Sequence, residues 1–323
     1  MTEITHRFVE TNGINMHIAE AGEGPLVVMC HGFPESWYSW RHQLVALAEA
    51  GFHAVAPDQR GYGQTDAPED IGAYTQLHLV GDLVGLLDAL EEEQAVVAGH
   101  DWGAPVAWNA ATLRPDRFRG VAGLSVPPNA WSGPIPPTEG MKQRFGDTFF
   151  YQLYFQEPGK AEAELEADVR TTMRMLLYTA SGDCPPNPAA AALPKTAGFL
   201  DAMQDPGDNL PPWLTEADLD VFTGEFERAG FRGGLNWYRN IDRNWELMAA
   251  FNGKKVTPPS LFVTGDRDLV VSLMGPKWRE QMEHSAPNLR DAVMIPGVGH
   301  WTQQEAPEAV NKAMIAFLRG LEG

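Results

Sequence analysis

The stretch AVVAGHDWGAPVAWNAATL, residues 95–113, runs from an apolar segment into a helical pattern through one tight turn, GHDWG at 99–103. A short apolar run of this kind suits a strand buried on both faces of a parallel sheet. Two glycines flank the turn, and its centre is an acid, Asp101. A sharp strand-to-helix bend exposes one side chain at the end of the strand, so the chemistry available to a carboxylate there becomes the question.

Working outward, the same rhythm continues on both sides. RFVET and INMHIAEA read as an initial hairpin-like pair, and PLVVMCHG (25–32) as a second doubly buried strand. SWRHQLVALAEAG (39–51) reads as a helix capped by Ser39 and stopped by Gly51. Strand HAVAPD, helix TQLHLVGDLVGLLDAL and, after the turn, strand GVAGLSVP complete a βαβα alternation. That alternation predicts a mostly parallel, doubly wound α/β sheet. After Val126 the pattern breaks at PPNAWSGPIPPTEG and becomes mainly helical and aromatic up to about Met248. It resumes with PSLFVTGDRD, PKWREQMEH, DAVMIPGVG and PEAVNKAMIAFLRGL. The expected organisation is therefore an α/β core, 1–128 and 249–323, interrupted by a helical cap, 129–248.

Composition narrows the function. The formal net charge is −19 over 323 residues, which argues against nucleic acid or an anionic membrane, since either needs a basic face. Neutral substrates fit that field better than anionic ones. The first residues, MTEITHRFVETNG, lack a signal-peptide pattern, and no apolar run reaches membrane-span length. Cys30 and Cys184 read as free thiols of a reducing cytoplasm. No zinc spacing, HExxH or Walker-type loop occurs, so neither a metal nor a cofactor is implied.

Ligands of open α/β sheets sit at the carboxyl ends of the strands. Three such ends carry complementary groups: Asp101 at the elbow, Asp268 after SLFVTG and His300 after VMIPGVG. Nucleophile, acid and histidine in that order is the arrangement of α/β hydrolases. HGFPES (31–36) supplies the remaining part, because a loop N–H there joins the one after the nucleophile in an oxyanion hole. By position those donors are Phe33 and Trp102. His31 and His100 read as structural hydrogen-bonding groups, and Glu35 as an orderer of that loop.

HGFPESWYSWRHQ, DQRGYG, GHDWGAPVAW and GHWTQQEAPE together resemble the soluble epoxide hydrolases of the α/β-hydrolase fold. The resemblance extends into the insertion through YQLYFQEPG (151–159) and GGLNWYRN (233–240). It implies that Asp101 is the nucleophile, His300 the base and Asp268 the acid that orients it. Tyr151 and Tyr238 then hold the epoxide oxygen. Asp266 rivals Asp268, and Tyr154 rivals Tyr151. Trp102, Phe33, Pro34, Phe155 and Trp237 are expected to line an apolar pocket. The implied partners are a small-molecule epoxide and water, with a homodimer allowed.

The residue types suit that chemistry. A carboxylate is ionised at neutral pH and attacks an sp³ carbon without a base, which a serine would need. Epoxide opening leaves an alkoxide, and tyrosine hydroxyls can donate to it while staying neutral at pH 7. Two other functions compete. A haloalkane or haloacid dehalogenase shares the fold and the Asp nucleophile, but a halide leaves without an acid and the tyrosine pair would be superfluous. A ligand receptor on the same fold would not need every catalytic position filled.

Overall fold

Asn12 and Gly13 both take positive φ, 44° and 77°, the left-handed pair that a two-residue hairpin requires and that Asn-Gly supplies at low strain. They join β1 (Thr5–Thr11) to β2 (Ile14–Ala21) in antiparallel register. The computed structural model describes residues 2–128, 133–275 and 277–321. Its other strands are β3 (Leu26–Cys30), β4 (His53–Pro57), β5 (Ala95–His100), β6 (Phe118–Leu124), β7 (Ser260–Gly265) and β8 (Leu289–Ile295). They form one eight-stranded sheet in the order β1-β2-β4-β3-β5-β6-β7-β8. Only β1–β2 and β2–β4 are antiparallel.

Helices α1 (Arg41–Glu49), α2 (Gln76–Ala89) and α3 (Gly103–Leu113) follow β3, β4 and β5. Between β6 and β7 come α4 (Pro137–Phe145), α5 (Tyr151–Tyr154), α6 (Lys160–Leu165), α7 (Val169–Thr179), α8 (Glu216–Ala229), α9 (Arg232–Arg239) and α10 (Ile241–Met248). The expected start of the insertion, residue 129, lies outside the described residues. The chain closes with α11 (Leu269–Met274), α12 (Trp278–Ser285), α13 (Thr302–Glu305) and α14 (Pro307–Arg319).

The central strands are buried along their whole length, and alternation divides their side chains between two layers. Val28, Cys30 and Val97 pack with Leu83 and Leu86 of α2 and Val106 of α3 on one face. Val27, Met29 and Ala98 meet Leu44 and Leu47 of α1 and Met314 of α14 on the other. Edge strand β8 differs, being half-buried with Met294 exposed. The Ser39 cap is not found. Trp37–Trp40 form a 3₁₀ turn whose N-cap is Ser36, and Ser39 donates back to the Ser36 carbonyl (3.1 Å). Helix α1 therefore begins at Arg41 without a side-chain cap.

The insertion sits on the loop after β4 at a glycine–glycine crossing. A Cβ on Gly233 of α9 would overlap the Gly61 carbonyl oxygen, so the two backbones can approach this closely only without side chains. Trp237 Nε1 then donates to Arg60 O (3.2 Å), which sets Tyr238 above the sheet. Arg60 is itself buried and forked onto Asp82 of α2, with Nε–Oδ2 at 2.8 Å and Nη2–Oδ1 at 2.5 Å. Removing one partner of such a pair strands a buried charge. Asp82→Ala is therefore expected to cost about 3–5 kcal/mol, read as a lower urea midpoint at unchanged slope. A loss under about 1 kcal/mol would mean that solvent replaces the carboxylate.

Candidate active site

Asp101 has φ +48°, a left-handed backbone uncommon outside glycine that aspartate tolerates better than most residues. The turn closes because of its glycines. A Cβ at Gly99 would overlap the Gly103 carbonyl oxygen, and one at Gly103 would overlap that of Cys30. The bend projects the Asp101 carboxylate from the end of β5. The Phe33 N–H donates to its Oδ1 at 2.8 Å. Among the described residues the Trp102 N–H makes no hydrogen bond to that carboxylate, so one of the two expected amide donors is engaged.

Asp101 Oδ2 lies 3.3 Å from His300 Nε2, and His300 Nδ1 lies 3.1 Å from Asp268 Oδ1. Asp268 follows β7, is fully buried, and accepts the Val270 N–H at the start of α11 (2.9 Å). The three groups from separate strand ends thus form one line. Asp266 is excluded from it: its carboxylate is exposed and accepts the Gly297 N–H (2.7 Å). The loop bearing His300 is clamped, because His300 O accepts from His100 Nε2 (2.7 Å) and Ser125 Oγ (2.9 Å). His100 Nδ1 meets Glu35 (2.7 Å), and Glu35 also accepts the Gly32 N–H (2.9 Å). His31 is likewise tied into backbone, at Gly32 O and the Gln59 N–H.

Tyr151 opens α5 and Tyr238 lies in α9, their rings 5.9 Å apart and nearly perpendicular. Both line a cavity of about 420 Å³ together with Asp101. Among the described residues no acceptor takes the hydroxyl proton of either; the Tyr151 oxygen instead receives the Gln152 Nε2–H (3.0 Å). Tyr154 is different, since its O–H donates to Glu164 (2.7 Å) and is used up there.

The electrostatics divide the groups by role. Burial pushes Asp101 and Asp268 toward protonation, but the hydrogen bond and charge of His300 outweigh it and hold both below the ordinary carboxylate value. Burial pulls His300 down, while the Asp268 charge and the contacts with Asp101 more than reverse this and leave it well above the usual histidine value. Burial raises Tyr151 to about 12 and Tyr238 well above the usual phenol value. The site therefore biases its carboxylates toward the ionised form, His300 toward the cation and the two phenols toward neutrality.

Of the five expected pocket residues, Trp102 lines the cavity. Phe33, Pro34, Phe155 and Trp237 do not: all are buried, and the Phe33 and Phe155 rings pack edge-on against Tyr238 (5.4 and 5.0 Å). Apolar character alone could not separate a ring facing the cavity from one supporting the tyrosine. The walls the sequence did not disclose are Ile135 and Met141 from the α4 segment, Ile241 and Trp245 from α10, and Trp108. They come from the insertion or from the inner face of α3, where a core residue and a pocket residue look alike.

A doubly wound sheet with this elbow and this order of groups defines an α/β hydrolase, and residues 25–307 match the family of alpha/beta hydrolase fold. The chain is 49% identical to epoxide hydrolase A of Mycobacterium tuberculosis over 98% of each chain. It is 42% identical to epoxide hydrolase 2 of Siraitia grosvenorii over 99% of each. It superposes on the crystal structure of epoxide hydrolase A from Mycobacterium thermoresistibile with a TM-score of 0.92 at 50% identity, covering 98% of this chain and 99% of that one. The chain belongs to the epoxide hydrolase family.

Proposed function

We propose that this epoxide hydrolase converts neutral, apolar epoxides to vicinal diols through an ester on Asp101. One observation carries the proposal: an ionised carboxylate and two phenol protons without an acceptor face the same 420 Å³ cavity. In the first step Oδ1, held at the Phe33 N–H, becomes the ester carbonyl oxygen, so Oδ2 is the attacking atom. Its electron pair forms the new C–O bond as the ring C–O bond breaks. The released oxygen takes a proton from a tyrosine, with Tyr151 and Tyr238 holding it in line with the attack.

In the second step His300 Nε2 removes a proton from water, and the hydroxide adds to the Asp101 carbonyl carbon. The oxyanion forms on Oδ1 at the amide donors. Collapse expels the second diol oxygen, which takes the proton held by His300. The other water proton, left on the regenerated carboxyl, is released and restores the phenol. Asp268 fixes the imidazole tautomer and supports its charged form. The insertion, 129–248, acts as the cap that brings the phenols to the nucleophile.

The tyrosine pair favours this reaction over dehalogenation, because halide needs no proton. No helix among the described residues is long and apolar enough to cross a membrane. Cys30 and Cys184 are free thiols, which supports a cytoplasmic enzyme. Every group of the site comes from one chain, so a homodimer would not be needed to complete it.

Diol formation from trans-stilbene oxide tests the proposal directly. Tyr151→Phe and Tyr238→Phe should each slow ring opening by about 10–100-fold, and the double variant by far more. If both single variants retain full activity, the clamp is misassigned; halide release from haloalkanes without diol formation would move the function to dehalogenation.

A further inference from the structure

Tyr151 and Gln152 are neighbours on α5, where successive side chains point about 100° apart and do not face each other. Their tips meet only because Gln152 folds back along the cavity wall to place Nε2 3.0 Å from the Tyr151 oxygen. The backbone beneath them is fixed as well. Gln156, one turn on, donates to Gln152 O (2.8 Å) and to Tyr238 O (3.0 Å), which ties α5 to α9.

We propose that Gln152 is a positioning residue for ring opening, acting through Tyr151. Its amide N–H occupies a lone pair of the phenol oxygen, so the single phenol proton is left to point into the cavity toward the epoxide oxygen. As that proton leaves, negative charge grows on the phenol oxygen, and the same N–H stabilises it. Burial and the Asp101 and Asp268 charges make Tyr151 a weaker acid, and the Gln152 hydrogen bond opposes them. On Tyr238 the Trp102 side chain has the same sense. Tyr151 thus has a donor on its oxygen and its proton free.

This inference rests on the two-tyrosine proposal above, and the experiment separates them. Rapid-quench single turnovers of trans-stilbene oxide give the rates of ester formation and ester hydrolysis separately. They are measured for the wild type, Gln152→Leu, Gln152→Glu, Tyr151→Phe and the Tyr151→Phe/Gln152→Leu pair. Gln152→Leu should slow ester formation about tenfold, the value of one hydrogen bond to a group gaining charge, and leave ester hydrolysis within about twofold. Gln152→Glu should be slower still, because its carboxylate accepts the phenol proton. In the Tyr151→Phe background Gln152→Leu should change nothing further, since the oxygen it served is gone.

Ester formation at the wild-type rate in Gln152→Leu overturns the proposal. So does an undiminished tenfold loss in the Tyr151→Phe background, or equal slowing of both steps, which marks a purely structural role. Gln152→Met, of similar length and without a donor, replaces the leucine variant if that one does not fold. If Tyr151→Phe itself keeps the wild-type rate of ester formation, the clamp falls and this inference falls with it.

Discussion

His300→Gln is expected to form the ester at a substantial rate and then stall. Its hydrolysis should slow by about 10²–10⁴-fold, the usual contribution of a positioned general base. The reason is geometric. His300 Nε2 lies beside Asp101 Oδ2 (3.3 Å), the proposed nucleophile, and makes no hydrogen bond to either proposed phenol among the described residues. In the proposed mechanism ring opening draws its nucleophile from Asp101 and its proton from a tyrosine, so neither depends on an imidazole that accepts protons. Hydrolysis requires a base, and among the described residues the Asp101 carboxylate makes no hydrogen bond or ion pair with any other titratable side chain. After one equivalent of epoxide, intact-mass measurement should show the protein heavier by one substrate, with the adduct on the peptide bearing Asp101. Steady-state turnover should be reduced to the rate at which that adduct decays. Unmodified protein after exposure to substrate, or an adduct on another residue, would remove His300 or Asp101 from these roles.

How much of this site could be seen in the sequence follows from what each residue must satisfy. Asp101 and Asp268 were legible because each follows a doubly buried strand, and His300 because it follows β8, the strand paired to β7, so the sheet alone brings three strand ends together. Val28, Cys30 and Val97 alternate with Val27, Met29 and Ala98 between two apolar layers, so β3 and β5 read as unbroken apolar runs. Strand β8 carries Arg290 and Asp291 in its exposed first half, a mixture that only an edge tolerates. The Ser39 cap failed because a preceding 3₁₀ turn moved the start of α1, and a serine three residues upstream serves equally well by pattern. The pocket was the least legible part. Phe155 and Trp237 are as aromatic as Trp245, but only Trp245 of the three lines the cavity, and α9, which carries Trp237, is seated by a glycine–glycine crossing on the β4 loop. Crossings of that kind depend on tertiary approach, which no local period encodes. Gln152 was hidden for the same reason, since a glutamine one residue from a tyrosine has no business touching it on an ordinary helix.

Asp101→Ala is expected to abolish diol formation, by at least about 10⁴-fold, as loss of a covalent nucleophile does elsewhere. It should have a second consequence at His300. In the intact enzyme His300 stands between two carboxylates, at 3.1 Å from Asp268 and 3.3 Å from Asp101, and its affinity for a proton is raised well above the ordinary value. An imidazole that is already protonated cannot act as a base. Esterification of Asp101 removes one of those two charges, so the histidine loses protein-supplied stabilisation of its cationic form when the second step needs it neutral. In the proposed mechanism, consuming the nucleophile therefore lowers the proton affinity of the histidine that the second step uses. Alanine at 101 imitates the loss of charge without the ester, so the His300 titration should move to lower pH, with the Asp268 contribution remaining. The sign is fixed: taking a negative charge away from a cation disfavours the cation, and its pKa falls. Imidazole nitrogen shifts followed by NMR in wild type and variant measure this. An unchanged titration would show that Asp101 does not set the protonation state of the base, and the base would then have to be neutral before ring opening begins.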